Sequence, residues 1–481
     1  MTQMEYSLAT KESGIANLLH RHQKLAAFIV TTLFFIALHK VKGVSVFPWD
    51  AGTYWKLSAA DFLFDFPKDI RGYFYPALLT PARFLSDTFN VLGYFPYRIM
   101  SSVIYAYFFT VLLPEFYLQL FGGKATFQRR LITPILVSLL FPGIIIYTLS
   151  DLPALALMVS ASVCVISSAN KATGFKQCAL LAFAGLMAYG AYNTRTIYLF
   201  PAILLTLAIS LVVYNKHSKR IRLLATVIFL CGASIASIPQ VIANHKNHDS
   251  FSPLVITKSP YNRSLFASQL LWGITMQRYE TSIDETSPGP AVFYMDKAGE
   301  QLFIDNKIGS GPFEVSTYFK LLLQNPVDFA GIYGRHIVSG LDLRDGEVYT
   351  VGHPGKRTSL ALFNYLVLFS GLLVMTLAIA TQRVKAEQKF KSAFWALLIL
   401  LPVLAIIPGA IETRFFLALH LAIYCCLAFT TEPESIKALL RRHWLLIIMA
   451  LVVSATLFFS ISTTTMASPQ YTYSSLYLGQ W

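Results

Sequence analysis

Long apolar runs separated by short polar turns dominate the chain. A run of about 20 apolar residues is long enough to cross a bilayer as a helix. Eleven such runs occur, at about 25–40, 98–121, 130–147, 152–168, 177–191, 196–214, 222–241, 360–381, 391–408, 413–430 and 444–463. The pattern predicts an all-α polytopic membrane protein with about 11 transmembrane helices, within a range of about 10 to 13.

The apolar runs divide the chain into three blocks. Residues 1–242 contain seven of the runs and a first polar loop at 41–97, and residues 359–481 contain the other four. The polar segment 243–358 between them is too long for a turn and too polar to span. We expect two transmembrane modules separated by an insertion of short helices that folds onto the membrane-facing core. No internal repeat is visible, in contrast to many transporters built from duplicated halves.

The first polar loop has helical periodicity of its own. "WDAGTYWKLSAADFL" has apolar residues at helical spacing, which predicts a helix lying on the membrane surface with Tyr54, Trp55 and Phe62 in the interface. "YPALLTPARFLSDTFNVL" predicts a second, partly buried helix broken by Pro76 and Pro81. The loop is therefore expected to be ordered.

Charge is scarce and unevenly distributed. Only 13% of residues are charged, whereas a soluble domain has about 25%. The net charge of +14 comes from basic residues concentrated in the turns on one side of the predicted membrane, while the short turns on the other side contain only Arg195 and Arg414. By the positive-inside rule the N-terminus is cytoplasmic and the C-terminus extracytoplasmic. The basic balance thus reflects topology, and no nucleic-acid partner is expected.

The cysteines and histidines suggest neither a disulfide framework nor a metal centre. All five cysteines fall in predicted spans, where Cys behaves as a small hydrophobic residue. No Cys and His spacing typical of a zinc site is apparent in the chain. No lumenal retention signal is apparent, and we expect a bacterial inner membrane as the location.

Several ionisable residues fall in the turns on the extracytoplasmic side. Because charge at a membrane boundary carries a desolvation cost, such a cluster is a functional-site hypothesis. The residues are Asp50 in the first loop, Asp151, Arg195, Glu412 and Arg414 in short turns, and Arg335 and His336 late in the insertion.

Each of these residues also has a purely structural explanation. Asp50 and Asp151 each start a helix, where Asp is a preferred cap. Arg195 can snorkel from a helix end to the lipid phosphates. The other four can be an ion pair, a cap or surface residues: Glu412, Arg414, Arg335 and His336. A functional site is favoured because all seven lie on the same side.

Four stretches of the chain, in order, carry a family resemblance. They are "FPWDAGTYWKLSAADF" with "RGYFYPALLTP", then "FPGIIIYTLSDLPALALMVSA", "GLMAYGAYNTRTIYLFPAILLTL" and "ETRFFLALHLAIYCCLA". Together they resemble the polytopic GT-C glycosyltransferases, most closely those of the protein-mannosyltransferase and lipid A aminoarabinose-transferase type. The resemblance extends over residues 25–430. It implies a GT-C-like fold and an inverting transferase that moves a sugar from a polyprenyl-phosphate carrier to an extracytoplasmic glycan, lipid or protein.

The resemblance also implies roles for individual residues. In the family, the Asp of the first outside loop is the general base, and that role falls to Asp50, with Asp151 as the second catalytic candidate. A departing lipid phosphate needs cations, and the planar fork of Arg suits phosphate. The donor-phosphate candidates are Arg195, Arg414 and Arg335. The substrate-binding candidates are Tyr54, Glu412 and His336.

The chain departs from the family pattern in its acidic residues. Many members have two adjacent acidic residues in the first loop, but here Ala51 follows Asp50. The acidic residue before the fourth span is often Glu, but here it is Asp151. Further carboxylates follow later in the first loop, at Asp61, Asp65 and Asp69. A divalent metal held by Asp50 and Asp151 is conceivable, but the Arg residues make it unnecessary, and we expect no cofactor.

Two other classes of function remain open from the sequence. A transporter or flippase for a lipid-linked glycan would need a polar path, marked by charges within the spans. The spans contain almost none, and His420 is the main ionisable residue near the interior of one. A non-catalytic scaffold, or an inactive relative of the glycosyltransferases, would tolerate loss of Asp50.

Overall fold

The computed structural model of the chain describes residues 22–59, 71–169, 174–256, 265–281, 291–308, 313–344, 349, 357–381, 386–430 and 434–472. Phe62, Asp61, Asp65 and Asp69, which the sequence singled out, lie outside the described residues. The first block is helical. Its elements are α1 Gln23–Lys42, α2 Trp49–Leu57, α3 Phe74–Thr88, α4 Phe95–Phe121, α5 Phe127–Leu140, α6 Pro142–Ile146, α7 Asp151–Ala169, α8 Phe175–Thr194, α9 Thr196–Val213 and α10 Lys219–His248.

The insertion mixes helices with two strands, and the last block is helical up to its final residues. The insertion contains α11 Leu265–Thr275, β1 Met276–Thr281, β2 Ala291–Met295, α12 Lys297–Asp305, α13 Val315–Gln324 and α14 Pro326–Leu341. The last block contains α15 Thr358–Thr381, α16 Ala386–Ile406, α17 Thr413–Phe429, α18 Glu434–Arg442, α19 Trp444–Met466 and β3 Gln470–Thr472.

Each of the eleven predicted spans coincides with helix. Within the described residues, seven helices are long and apolar enough to cross a membrane: α1, α4, α7, α9, α10, α15 and α19. The apolar parts of α16 and α17 are shorter, and α8 has 20 residues. The predicted span 130–147 is interrupted at Phe141, between α5 and α6. The protein is a polytopic helical membrane protein, as the sequence predicted.

The helical fold also contains one small sheet within the described residues. β1, β2 and β3 form an antiparallel sheet in that order, with Tyr279 opposite Phe293 and Phe293 opposite Tyr471. β1 is also held at its side, because the Tyr279 N–H donates to the Ile411 carbonyl at 2.9 Å. The short runs of β1 and β2 become strands because partners distant in sequence complete their hydrogen bonds.

The described parts of the first loop are largely helical, but Tyr54 and Trp55 do not lie in the lipid interface as expected. Tyr54 and Trp55 are 4% and 6% exposed. Trp55 packs edge-on against Phe47 at 5.5 Å between ring centroids. The predicted break in the second helix is also absent, because Pro76 lies in the first turn of α3 and Pro81 lies within the continuous helix. Tyr54 and Trp55 therefore pack within the protein, whereas Trp49 and Phe84 of the same loop are exposed.

Small residues let α8 and α10 approach closely. A Cβ added to Gly185 of α8 would clash with the backbone of Phe229, and one added to Gly232 of α10 would clash with Ala182. Such contacts are typical of helix pairs in membranes, where packing replaces the hydrophobic effect as the source of association. The close crossing fixes α8, and α8 ends next to the candidate site.

Candidate functional site

Helix α2, which carries Asp50, is held in place by hydrogen bonds to its first turn. The Thr148 hydroxyl donates to the Ala51 carbonyl at 2.6 Å, and the Ala51 N–H donates to the Tyr349 hydroxyl at 3.3 Å. Ala51 itself is fully buried. These contacts join the first loop to a short turn of the first block and to the end of the insertion. Asp50 is therefore presented from a fixed backbone.

Asp50 pairs with two guanidinium groups. Arg71 forms an ion pair with one carboxylate oxygen, and Arg414 donates to the other at 3.1 Å. Burial favours a raised pKa for Asp50, but the charges of Arg71 and Arg414 outweigh it and hold the pKa below its ordinary value. The side chain is 32% exposed. Asp50 is thus an ionised, accessible carboxylate and not a helix cap.

Arg414 connects three carboxylates. Its Nε atom lies 2.7 Å from Glu412, and its two terminal nitrogens lie 3.1 Å from Asp50 and 3.8 Å from Asp151. The Arg414 side chain is 7% exposed and Glu412 is fully buried. A buried charge is tolerated only when it is paired. Arg414 is the common partner of the carboxylates in this region.

Arg195 turns inward at the end of α8. It pairs with Asp151, and its guanidinium lies 4.4 Å from the centre of the Phe415 ring. The Arg195 side chain is 20% exposed and that of Asp151 is 4% exposed. The snorkelling interpretation of Arg195 is therefore wrong. Asp151 likewise directs its carboxylate to Arg195 and Arg414, so capping does not explain it.

Six charged side chains form one connected group, which we call the site cluster: Asp50, Arg71, Asp151, Arg195, Glu412 and Arg414. Three are cations and three are anions, so their formal charges cancel. An anion that entered the cluster would compete with the carboxylates for the guanidinium groups. The arrangement is therefore suited to exchanging an internal ion pair for one with a ligand.

A pocket opens from the site cluster between three helices. Asp151, Arg195 and Arg414 lie at its polar end, and the space between its walls, about 330 Å³, is partly open to solvent. Its other walls are apolar or aromatic and come from the start of α9, the end of α16 and the start of α17: Ile197, Tyr198, Pro402, Ile406, Phe415, Leu417 and Ala418. The pocket thus places two guanidinium groups beside apolar and aromatic side chains.

A second group of charges lies behind the site cluster. We call it the insertion cluster: Arg278 and Glu280 of β1, Asp342 after α14, Thr413 at the start of α17, and Ser462 of α19. Arg278 donates to Asp342 at 2.9 Å, and the Thr413 hydroxyl donates to Glu280 at 2.6 Å. Ser462 donates to Asp342. Arg278 is 0% exposed and Asp342 is 1% exposed. These contacts join the insertion to the last block.

Five of the eight residues proposed from the sequence meet in the site cluster: Asp50, Asp151, Arg195, Glu412 and Arg414. Their shared side of the membrane was the basis of the prediction, and their contacts are as expected for one site. Tyr54 lies next to the cluster. The Arg71 guanidinium is 5.5 Å from the Tyr54 ring, and Tyr75 packs against that ring from another side. Tyr54 thus supports Arg71 and is itself buried.

Arg335 and His336 are engaged elsewhere. Arg335 forms a two-bond ion pair with Asp296, at 2.7 and 2.9 Å. His336 is fully buried, with its ring nitrogens 2.6 Å from the Ile407 carbonyl and 3.0 Å from the Met276 carbonyl. Burial lowers the pKa of His336 below its ordinary value. Both residues hold the insertion together. The sequence places them on the same membrane face as the site, but a shared face does not determine which neighbours a side chain contacts.

Arg71 was missed in the sequence analysis. It stands in the stretch "RGYFYPALLTP", which carried part of the family resemblance, but 20 residues separate it from Asp50. A lone Arg beside a Gly at a predicted helix start was the available signal. Among the described residues, no group of three or more His, Cys, Asp or Glu side chains is arranged to hold a metal ion.

Comparisons with known proteins give one structural similarity. No protein-family model and no curated protein sequence matches the chain. Among solved structures, the chain is similar to the archaeal oligosaccharyltransferase AglB from Archaeoglobus fulgidus, in complex with an inhibitory peptide and a dolichol-phosphate. The TM-score is 0.44 and the sequence identity 14%, with 95% of this chain covered. The chain spans 57% of the length of that structure.

Proposed function

We propose that this protein is a membrane glycosyltransferase that moves a sugar from a polyprenyl-phosphate carrier to an extracytoplasmic acceptor. The observation that carries the proposal is the position of Arg414. It contacts the accessible carboxylate of Asp50 and also lines the polar end of an otherwise apolar pocket. A single guanidinium thereby connects a base to a place for a lipid-linked anion.

The pocket suits the donor of such a reaction. A polyprenyl phosphate has an anionic head and an apolar chain, the two features that the pocket walls require. Arg195 and Arg414 bind the phosphate in our proposal, and the apolar ends of α9, α16 and α17 contact the first isoprene units. As the sugar leaves, negative charge grows on the phosphate. Donors aimed at such charge in a dry site typically contribute about 10²–10³-fold to the rate each.

Asp50 acts on the acceptor. The acceptor hydroxyl attacks the anomeric carbon from the face opposite the phosphate, the carbon–oxygen bond to the phosphate breaks, and the hydroxyl proton passes to Asp50. The products are the glycosylated acceptor with inverted configuration, the free polyprenyl phosphate and protonated Asp50. A positioned general base typically contributes about 10²–10⁴-fold.

Donor binding also strengthens the base. In the absence of donor, Asp50 shares Arg414 with Glu412 and Asp151. A phosphate that draws the Arg414 charge away removes part of the attraction that keeps Asp50 ionised. The pKa of Asp50 then rises, and its carboxylate becomes a better proton acceptor. Catalysis is thereby coupled to the presence of the donor.

We propose that the site lies on the extracytoplasmic side of a bacterial inner membrane. The positive-inside distribution of Lys and Arg supports this side. The acceptor is a cell-surface glycan, lipid or protein, and the sugar is a hexose or pentose. Arg residues supply the positive charge, so the proposed reaction proceeds without a metal ion.

The test is transfer by purified wild-type protein in proteoliposomes. Radiolabelled sugars on polyprenyl phosphate are supplied together with a bacterial envelope extract as the source of acceptor. The proposal predicts that label becomes covalently attached to acceptor and that free polyprenyl phosphate accumulates in equal amount. If the lipid-linked sugar changes leaflet without cleavage, the protein is a flippase. If no labelled donor is cleaved or moved, the glycosyltransferase proposal is wrong.

A further inference from the structure

A chain of buried amide side chains runs between α8 and α10, outside the site cluster. The Asn193 side-chain nitrogen donates to the Gln240 side-chain oxygen at 2.8 Å, and the Gln240 nitrogen donates to the Asn244 oxygen at 3.0 Å. The Asn244 nitrogen then donates to the backbone carbonyls of Ser252 and Leu254, each at 2.7 Å. We call Asn193, Gln240 and Asn244 the amide ladder. Its three side chains are all buried.

The ladder ends on the turn that carries Arg71. The Asn193 side-chain oxygen accepts a hydrogen bond from the backbone N–H of Phe74, at 2.8 Å. Gly72 packs so closely against Asn193 that an added Cβ would clash with its backbone oxygen. The Tyr73 hydroxyl donates to a backbone carbonyl of α10. The three residues that follow Arg71 are thus each fixed to α8 or α10.

The same ladder is tied to a second cation of the site. Asn193 lies two residues before Arg195, at the end of α8. One amide therefore holds the turn of Arg71 against the helix end that presents Arg195. Each amide in the ladder accepts from the group before it and donates to the group or groups after it. Loss of Asn193 therefore leaves the Phe74 N–H and the Gln240 oxygen without these partners. Unpaired buried groups of this kind force local rearrangement.

We infer that Asn193 is a positioning residue that sets the spacing between Arg71 and Arg195 across the site and so keeps Arg71 on Asp50. The catalytic part of the inference rests on the proposed function. The positional part depends only on the contacts of the turn that follows Arg71. The two parts are therefore tested by separate measurements.

The positional part is tested by thiol labelling. In a chain whose five native cysteines are replaced by alanine, Arg71→Cys is labelled with a maleimide, with and without Asn193→Leu. We expect Asn193→Leu to raise the labelling rate by about tenfold, because losing buried hydrogen bonds releases the turn. This assay needs no substrate. If the labelling rate is unchanged in folded protein, the inference is overturned, whatever the activity of the wild type.

The catalytic part is tested by the pH dependence of transfer. Asn193→Leu should lower the rate by about tenfold to a hundredfold. It should also move the acidic limb of the pH–rate profile to higher pH, as Arg71→Gln does, because a cation has left Asp50. The double variant should differ little from Arg71→Gln alone, since both changes remove one interaction. The inference is wrong if the losses of the two single variants add fully in the double variant and Asn193→Leu leaves the acidic limb where it is in wild type. Asn193 would then be only a packing residue.

Asn364→Leu is the matched control. Asn364 is also a buried amide between spans, donating to the Leu341 carbonyl at 2.9 Å and accepting from the Tyr424 hydroxyl at 3.2 Å. Its loss should lower thermal stability to a similar degree without moving the acidic limb or the labelling of Arg71→Cys. If Asn364→Leu reproduces both effects, they report general loosening and contradict the inference. If Asn193→Leu raises the labelling rate of Arg71→Cys as expected but wild-type protein transfers no sugar, the positional part of the inference stands and only the proposed function is wrong.

Discussion

The protein contains two clusters of buried charge made from the same residue types, and their surroundings differ. In the site cluster, Asp50, Arg71 and Arg195 are 20–32% exposed at the side chain. Three members of the cluster, Asp151, Arg195 and Arg414, line a pocket. In the insertion cluster, Arg278 and Asp342 are at most 1% exposed. Both clusters satisfy the rule that a buried charge needs a partner. The site cluster has a pocket beside it.

The difference shows how to separate a catalytic group of charges from a structural one. The insertion cluster is completed by protein groups, such as the hydroxyls of Thr413 and Ser462, and it joins β1, α17 and α19. The charged groups of the insertion cluster pair with one another and with these hydroxyls. In the site cluster, Arg414 divides its charge among three carboxylates and faces a pocket. Its ion pairs can be exchanged when an anion enters.

The largest effect is expected from Arg414, the residue that makes the site cluster exchangeable. Arg414→Gln in a Glu412→Gln background removes a buried cation together with its nearest anion, so no unpaired charge is left between them. Compared with Glu412→Gln alone, the double variant should lose about 10²–10³-fold in transfer rate. It should also bind polyprenyl phosphate more weakly, which is measured with a fluorescent short-chain analogue. Binding equal to that of the single variant would place the phosphate elsewhere.

The insertion cluster should respond in stability and not in chemistry. Asp342→Asn keeps the size of the side chain but removes the carboxylate that accepts from Arg278 at 2.9 Å. Removing one partner of a buried pair costs on the order of 3–5 kcal/mol. Thermal unfolding in detergent should show this loss, while transfer per folded molecule stays within about threefold of wild type. A stable Asp342→Asn variant without transfer activity would show that the insertion cluster takes part in the reaction. The distinction between a catalytic and a structural cluster would then be wrong.

A smaller effect is expected from replacing Arg71, whose charge lowers the pKa of Asp50. The rate requires the ionised carboxylate, so it falls as pH drops through the pKa of Asp50. Arg71 helps to hold that pKa below its ordinary value. Arg71→Gln should therefore raise the pKa and move the acidic limb of the pH–rate profile to higher pH, with a loss of severalfold at the acid end.

The control for Arg71 lies on α3. Arg83 pairs with Asp87 at 2.8 Å, and its guanidinium lies 5.2 Å from the centre of the Trp55 ring. Arg83→Gln should leave the acidic limb where it is in wild type. A limb that moves equally in both variants would mean that net charge, and not the ion pair with Asp50, sets the profile.

The smallest effect is expected from removing divalent metal. The site cluster has three guanidinium groups for charge stabilisation, and Arg414 bridges Asp50 and Asp151, the two carboxylates that a metal would share. Transfer measured in excess EDTA should equal transfer measured with Mg²⁺ or Mn²⁺. A rate that is lost with EDTA and restored by one of these ions would contradict the role given to the arginines.

The spans and five members of the site cluster could be predicted because each depends on a strong local rule. Spans follow from runs of apolar residues, and sidedness follows from Lys and Arg in the turns. Asp50, Asp151, Arg195, Glu412 and Arg414 were then placed on one side by topology. The same rule also selected Arg335 and His336, which are bound to other partners. Topology gives the face of the membrane but not the contacts on that face.

The rest depends on contacts between distant segments. Arg71 reaches Asp50 because Gly72 and Asn193 fix its turn, and nothing in the spacing of these residues announces that contact. The sheet forms because β3, from the end of the chain, completes the edge of β2. Trp55 looked like an interfacial residue but packs against Phe47 and Tyr97. Pairings of this kind lie beyond what local periodicity can reveal.

The central claim is that Asp50 is the base and not only a partner of two arginines. The most direct measurement compares Asp50→Asn with wild type in the same proteoliposomes, scoring both binding of polyprenyl phosphate and transfer of sugar. We expect the variant to bind the lipid at least as tightly as wild type, because Arg414 has lost a competing carboxylate. We also expect it to transfer sugar about 10²–10⁴-fold more slowly. Transfer at the wild-type rate by folded Asp50→Asn would contradict the account.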